Sequence, residues 1–133
     1  LPDGIFLGHQ EGPDLARALA SADLFLNPSI TETFGNVTLE AMACALPVVA
    51  VSATGATNLV RDGETGMLAE PGDIGALADA IAASAASPAL RRRRGEAGLA
   101  FAKTQDWDVI NGAVLKTYAR AIERRERLQR MKG

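Results

Sequence analysis

Pro28-Ser29-Ile30-Thr31-Glu32-Thr33-Phe34-Gly35-Asn36-Val37-Thr38-Leu39-Glu40-Ala41-Met42, with Pro47-Val48-Val49-Ala50-Val51 close behind, spells a loop, a helix and a strand in succession. Asn36 is a good N-cap and predicts a helix opening there, because its side chain can accept from the unpaired amides of a first turn. Leu39, Met42, Ala43 and Leu46 then recur at i, i+3, i+4 and i+7, a single apolar face. Pro47 ends the helix, since the residue before a proline is pushed out of the helical region. Val48 to Val51 is apolar with no polar alternation, the pattern of a strand covered on both faces of a parallel sheet.

The same alternation extends outward. Upstream, Asp23-Leu24-Phe25-Leu26 predicts a strand closed by Asn27-Pro28. Before it, Pro13 opens a helix in which Leu15, Ala18, Leu19 and Ala22 share a face. Ile5-Phe6-Leu7 predicts a short first strand ended by Gly8. Downstream, Gly55 marks a loop, Thr57 to Val60 one short turn, and Arg61-Asp62-Gly63-Glu64 a reversal. Gly66-Met67-Leu68-Ala69 predicts the last strand. A helix follows from Asp73 to Ser87, and Pro88 opens another through Arg91, Arg92, Arg93 and Arg94, expected as a solvated face. A final helix is predicted from Trp107 to Arg130, with Ile110, Val114, Tyr118 and Ile122 spaced four apart and Trp107 as a packing anchor. Strands alternating with helices predict an α/β three-layer sandwich with a parallel sheet, Rossmann-like in kind.

With 133 residues the chain has room for one domain. Aromatic residues are only 5% of it, so Ala, Leu and Val carry the packing. The single cysteine, Cys44, excludes an intrachain disulfide and a cysteine-cluster metal site. No run of about 18 apolar residues is present to span a membrane, and a cytoplasmic location is expected. The opening Leu1-Pro2-Asp3-Gly4 resembles neither a signal peptide nor a natural start, which predicts a longer parent chain. The net charge of −2 is unevenly spread. Residues 1–90 carry two basic side chains against eleven acidic, and residues 91–133 carry twelve against five. A basic tail on an acidic body is suited to an anionic surface. No nucleic acid is expected as a partner.

Between Thr33 and Val60 the only charged residue is Glu40. A carboxylate in so apolar a run must face solvent, find a partner or meet a ligand, because burying it alone is costly. It lies one turn into a helix whose first amides, at Asn36, Val37 and Thr38, point outward with the positive end of the helix dipole. That start is suited to a phosphate. Gly35 lets backbone approach a ligand closely. The whole assembly falls at the carboxyl end of the Asp23–Leu26 strand, where open α/β sheets bind ligands.

Pro-Ser-x-x-Glu-x-Phe-Gly, then Leu-Glu-Ala-Met-Ala, then Pro-Val-Val-Ala resembles the retaining glycosyltransferases of the glycogen-synthase-like, family-4 or group 1 type, which have the two-domain GT-B fold. Glu32 and Glu40 have that family's Glu-x7-Glu spacing, and Asp62 to Leu68 and Pro71-Gly72-Asp73 match its next landmarks. The resemblance implies that residues 1–133 are part of the C-terminal, donor-binding domain, with an N-terminal acceptor domain as partner outside this chain. It implies that Glu32, the catalytic candidate, hydrogen-bonds hydroxyls of the donor sugar, and that Phe34, Gly35 and Asn36 offer amides to the same sugar. Val37 and Thr38 would lie against the diphosphate, Glu40 on the ribose diol, and the base near Leu7-Gly8-His9. The implied donor is a UDP- or GDP-linked hexose, no metal or other cofactor is expected, and the acceptor is a hydroxyl, with membrane lipids common among acceptors. A basic tail from Lys116 would then rest on the N-terminal domain or on a membrane. The sequence departs from the family at Gly55-Ala56-Thr57-Asn58, one residue shorter than its Gly-Gly-x-x-Glu, with Asn58 where an acid is common. A non-catalytic nucleotide-sugar-binding module is the alternative. A dinucleotide-binding oxidoreductase is disfavoured, because no Gly-x-Gly-x-x-Gly follows a predicted strand.

Overall fold

The computed structural model describes residues 3–130, apart from the side chain at position 126. Residues up to Ala102 form one compact unit, and those from Lys103 onward a second.

In the first unit, three parallel strands, β1 (Phe25–Asn27), β2 (Val48–Val51) and β3 (Gly66–Ala69), form a sheet in the order β1-β2-β3. Phe25 lies beside Val48 and Asn27 beside Ala50, while Val48 to Val51 run alongside Gly66 to Ala69. Helix α1 (Gly12–Ala20) precedes the sheet. Helix α2 (Asn36–Ala43) connects β1 to β2, and α3 (Thr54–Leu59) connects β2 to β3. Helices α4 (Ile74–Ala86) and α5 (Pro88–Ala102) complete the unit.

All four residues of β2 are buried, as the unalternating run at 48–51 predicts. Side chains alternate across a strand, so both faces of the sheet are covered. Val48 and Ala50 form the core with Met42, Ala56, Leu59 and Val60, against which Phe25, Leu39 and Phe101 pack. Helix α4 packs along β2 and β3, and α2 lies against α5. That last approach needs a glycine. A Cβ on Gly95 of α5 would stand 2.0 Å from the carbonyl oxygen of Ala45. The Asp73 side chain accepts from the amide of Ala76 at 2.8 Å and caps α4.

Four expectations fail locally. Residues 5–7 form no strand, and Ile5, Phe6 and Leu7 are 85%, 90% and 60% exposed. Three apolar residues cannot make a strand unless a neighbour accepts their hydrogen bonds, and among the described residues β1 has only β2 beside it. The turn predicted at 57–60 is instead a helix from Thr54 to Leu59, with Ala56 and Leu59 buried. The predicted apolar face of α2 also breaks at Ala43, which is exposed.

The arginine run likewise does not form one solvated face. Arg92 and Arg93 are exposed, but Arg91 donates to the carbonyls of Ser84 and Ala85 at 3.1 and 2.6 Å, at the negative end of α4. Arg94 is buried. Desolvation, with Arg93 nearby, holds its guanidinium below the usual arginine pKa, and its Nε and Nη1 find no hydrogen-bond partner among the described residues.

The second unit consists mainly of α6 (Trp107–Arg130), with the bounds its spacing predicts. Trp107 is 67% exposed and so anchors no core within this unit, while Val114, Leu115, Tyr118 and Ile122 are exposed as well. No helix among the described residues is long and apolar enough to cross a membrane.

Candidate functional site

The loop between β1 and α2 is held from two sides. On one side, the buried Asn27 closes β1. Its Nδ2 donates to Oε2 of Glu32 at 2.6 Å and to Oγ1 of Thr38 at 3.1 Å, and its Oδ1 accepts from the amide of Ser29 at 3.1 Å. On the other, the carbonyl of Glu32 accepts from Oγ1 of Thr54 at 2.9 Å and from the amide of Gly55 at 3.1 Å. Contact there is so close that a Cβ on Gly55 would stand 2.6 Å from Cγ of Glu32. Glu32 is therefore fixed at both its backbone and its carboxylate, while remaining partly open to solvent.

The start of α2 is built differently from the prediction. Gly35, not Asn36, is the N-cap, with a left-handed φ of 88° and no side-chain cap. A side chain at position 35 would be strained by that φ, and its Cβ would meet Leu59 Cδ1 at 2.7 Å. The first helical bond runs from the amide of Leu39 to the carbonyl of Gly35 at 2.9 Å, so the preceding amides have no acceptor within the helix. With no capping side chain over them, the amides of the exposed Asn36 and Val37 keep the anion-ready character of a helix start. Thr38 is fully buried, its hydroxyl turned inward to Asn27.

An open cavity of about 520 Å³ lies over this arrangement, lined by Ser29 and by residues 31–37. It is large enough for a small polar ligand, and Glu32 is its one charged lining residue. The structure thus gathers Glu32, Phe34, Gly35, Asn36 and Val37 around one space. Glu40 is exposed and lines a second cavity of about 240 Å³, with Gly12, Leu15, Ala16 and Leu19 of α1 and with Ala43 and Cys44. Residues four apart share a helix face, so Glu40 follows Asn36 one turn along α2. Its carboxylate has no hydrogen-bond partner among the described residues, which suits an incoming diol. His9, at the turn expected near the base, is exposed and bonded to Glu11 at 2.8 Å. No group of three or more His, Cys, Asp or Glu side chains that could hold a metal is found among the described residues.

Sequence reasoning missed Asn27, Thr54 and the inward role of Thr38. An asparagine before a proline signals a turn, and nothing in its neighbours announces a partner eleven residues away.

A family model described as "Glycosyl transferases group 1" matches residues 2–87. The chain is 40% identical over 114 residues to a phosphatidyl-myo-inositol mannosyltransferase of Mycobacterium leprae, covering 85% of this chain and 30% of that protein. It is 42% identical over 118 residues to a D-inositol 3-phosphate glycosyltransferase of Mycobacterium avium, covering 88% and 28%. Among solved structures, Anabaena Alr3699/HepE in complex with UDP and glucose matches with a TM-score of 0.74 and 34% identity, over 86% of this chain and 31% of that one. Sucrose-phosphate synthase from Thermosynechococcus elongatus matches with a TM-score of 0.73 and 35% identity, over 82% and 28%. The chain thus spans about 30% of the length of the mannosyltransferase it resembles.

Proposed function

Because the chain belongs to the group 1 glycosyl transferases, with the parallel α/β architecture of a GT-B domain, we propose that it is the donor-binding domain of a retaining enzyme. The observation that carries this reading is the 520 Å³ cavity, in which the fixed carboxylate of Glu32 faces the uncapped start of α2. Carboxylates suit pairs of sugar hydroxyls, and a helix start suits a diphosphate. In this reading Glu32 and the backbone of Phe34, Gly35 and Asn36 hold the hexose, and Val37 lies towards the diphosphate. Glu40, one turn further along α2, takes the ribose.

The donor is a UDP- or GDP-linked hexose. Solved relatives about one-third identical in sequence hold UDP and UDP-glucose, which makes uridine the first base to try. In the reaction the acceptor hydroxyl oxygen bonds to the anomeric carbon as the sugar–phosphate bond breaks. Attack on the face the diphosphate leaves retains the configuration, and the acceptor's proton passes to the departing diphosphate. In this chain the start of α2 is what meets the charge on that diphosphate, without a metal, since neither cavity is lined by a basic side chain; the basic side chains that the family uses there would lie outside residues 1–133. An N-terminal domain brings the acceptor and closes the cleft. A lipid acceptor and a tail from Lys116 resting on an anionic membrane face would agree with the phosphatidyl-myo-inositol substrate in one relative's name. Liposome sedimentation with and without anionic lipid tests the tail; equal pelleting in both would remove it.

Calorimetric titration with UDP, GDP and ADP, repeated on Glu40→Ala, tests the donor site. One nucleotide is expected to bind and to weaken on substitution. Equal binding of all three, unaffected by Glu40→Ala, would overturn the placement of the ribose.

A further inference from the structure

We propose that Asn27 is a positioning residue for Glu32: its carboxamide aims the carboxylate that meets the donor sugar, so that sugar affinity depends on a residue which touches no sugar. The inference rests on the reading of Glu32 given above. Three hydrogen bonds support it. The amide of Ser29 can only donate, so it fixes the carbonyl end of the Asn27 side chain at 3.1 Å. The amino end must then face the other way, and its two hydrogens go to Glu32 Oε2 at 2.6 Å and Thr38 Oγ1 at 3.1 Å. A reversed carboxamide would set its oxygen against a carboxylate and its NH2 against an amide N–H. Burial of Asn27, at 8% exposure, withholds water as a substitute partner. Glu32 on a loop would otherwise sample several rotamers, and fixing one before binding removes that entropic cost from the ligand. One carboxylate oxygen is thereby occupied by protein, and the other has no hydrogen-bond partner among the described residues.

Asn27→Asp converts this arrangement into a pH-dependent one. Two carboxylates at such a distance cannot both be ionised easily, so the pair shares a proton. The groups bonded to them, Ser29, Thr38, Thr54 and Gly55, bring no further titratable side chain. Thr38 comes from α2, Thr54 and Gly55 from α3, and Glu32 is the one charged residue lining the cavity. When protonated, the carboxyl introduced at position 27 can donate as the asparagine did; when ionised, it repels.

The test is calorimetric titration of the full-length protein with UDP and with UDP-glucose between pH 5 and pH 8.5. The wild type is compared with Asn27→Asp, Asn27→Ala and Glu32→Gln. The ratio of the two dissociation constants isolates the sugar. In the wild type that ratio is expected to favour UDP-glucose. Asn27→Asp should lose about tenfold of it at the alkaline end, the worth of one charge-assisted hydrogen bond, and regain it towards the acid end. Asn27→Ala should lose it at every pH, with UDP affinity intact in both. A wild-type ratio in Asn27→Asp at all pH values, with the ratio lost in Glu32→Gln, would overturn the positioning role while leaving Glu32 on the sugar. An unchanged ratio in Glu32→Gln, or a wild type that binds UDP-glucose no better than UDP, would remove the reading of Glu32 and this inference with it. Loss of UDP affinity in both Asn27 variants would place Asn27 in the fold alone and overturn the proposal equally.

Discussion

Glu32 and Glu40 belong to one motif, yet the molecule holds them in opposite ways. Glu32 is gripped by Asn27 at its carboxylate, by Thr54 and Gly55 at its carbonyl, and lies over a cavity of about 520 Å³. Glu40 stands exposed on α2 beside a groove of about 240 Å³, its carboxylate bonded to nothing among the described residues. The contrast would suit the two tasks proposed for them. Discriminating hydroxyl stereochemistry at a reacting sugar calls for an acceptor fixed to within a fraction of an ångström. Holding a ribose diol away from the chemistry calls only for affinity, which a side chain free to adjust can supply.

The sharpest way to break the contrast is Gly55→Ala. Its Cβ would stand 2.6 Å from Glu32 Cγ and 3.0 Å from the Glu32 carbonyl oxygen, so the loop must move. A loss of about 2–3 kcal/mol in thermal unfolding is expected, as for overpacking, together with loss of the preference for UDP-glucose over UDP. Glu32→Gln should leave stability nearly unchanged, because its amide oxygen can still accept from Asn27. Its cost, about 2 kcal/mol in kcat/KM, is that of a lost charged partner. Glu40→Ala should weaken UDP and UDP-glucose alike by about 1–2 kcal/mol, with an unchanged melting temperature because nothing in the fold depends on that carboxylate. Asn58→Ala, at an exposed site on α3 outside both cavities, should stay within about 0.5 kcal/mol in stability and affinity. An effect on UDP-glucose as large as that of Glu32→Gln would place Asn58 in the site after all.

The sheet was legible because its signals are local. Four apolar residues between a proline and a small loop at Val48–Val51, and Gly66–Ala69 after a turn, need no distant partner to be recognised. The same rule failed at Ile5–Leu7, where the residue types suit a strand but no neighbouring strand among the described residues accepts them. Glu32 and Glu40 stood out by spacing and by the absence of other charge. Asn27 did not, because its contacts to Ser29, Glu32 and Thr38 exist only once α2 has folded back across the end of β1. The shift of the N-cap from Asn36 to Gly35 has a similar origin. Asparagine is the better cap by propensity, but the close approach of Leu59 at position 35 admits only a glycine, and the helix begins after it.

The bonds from Thr54 and Gly55 to the carbonyl of Glu32 have a consequence for how this domain can diversify. They pin the loop at its middle, and the Ser29 amide holds Asn27, a backbone bond that does not depend on the side chain at 29. Ser29 and Thr31 on one side, and Thr33 and Phe34 on the other, line the cavity without anchoring the loop to α3. Substitutions there can reshape the cavity wall, which in the proposed reading faces the donor sugar, while the acidic residue keeps its place. If the cavity takes the donor sugar as proposed, a lineage could drift from one sugar to another through these four positions, without passing through an ancestor that has lost its grip on donors altogether.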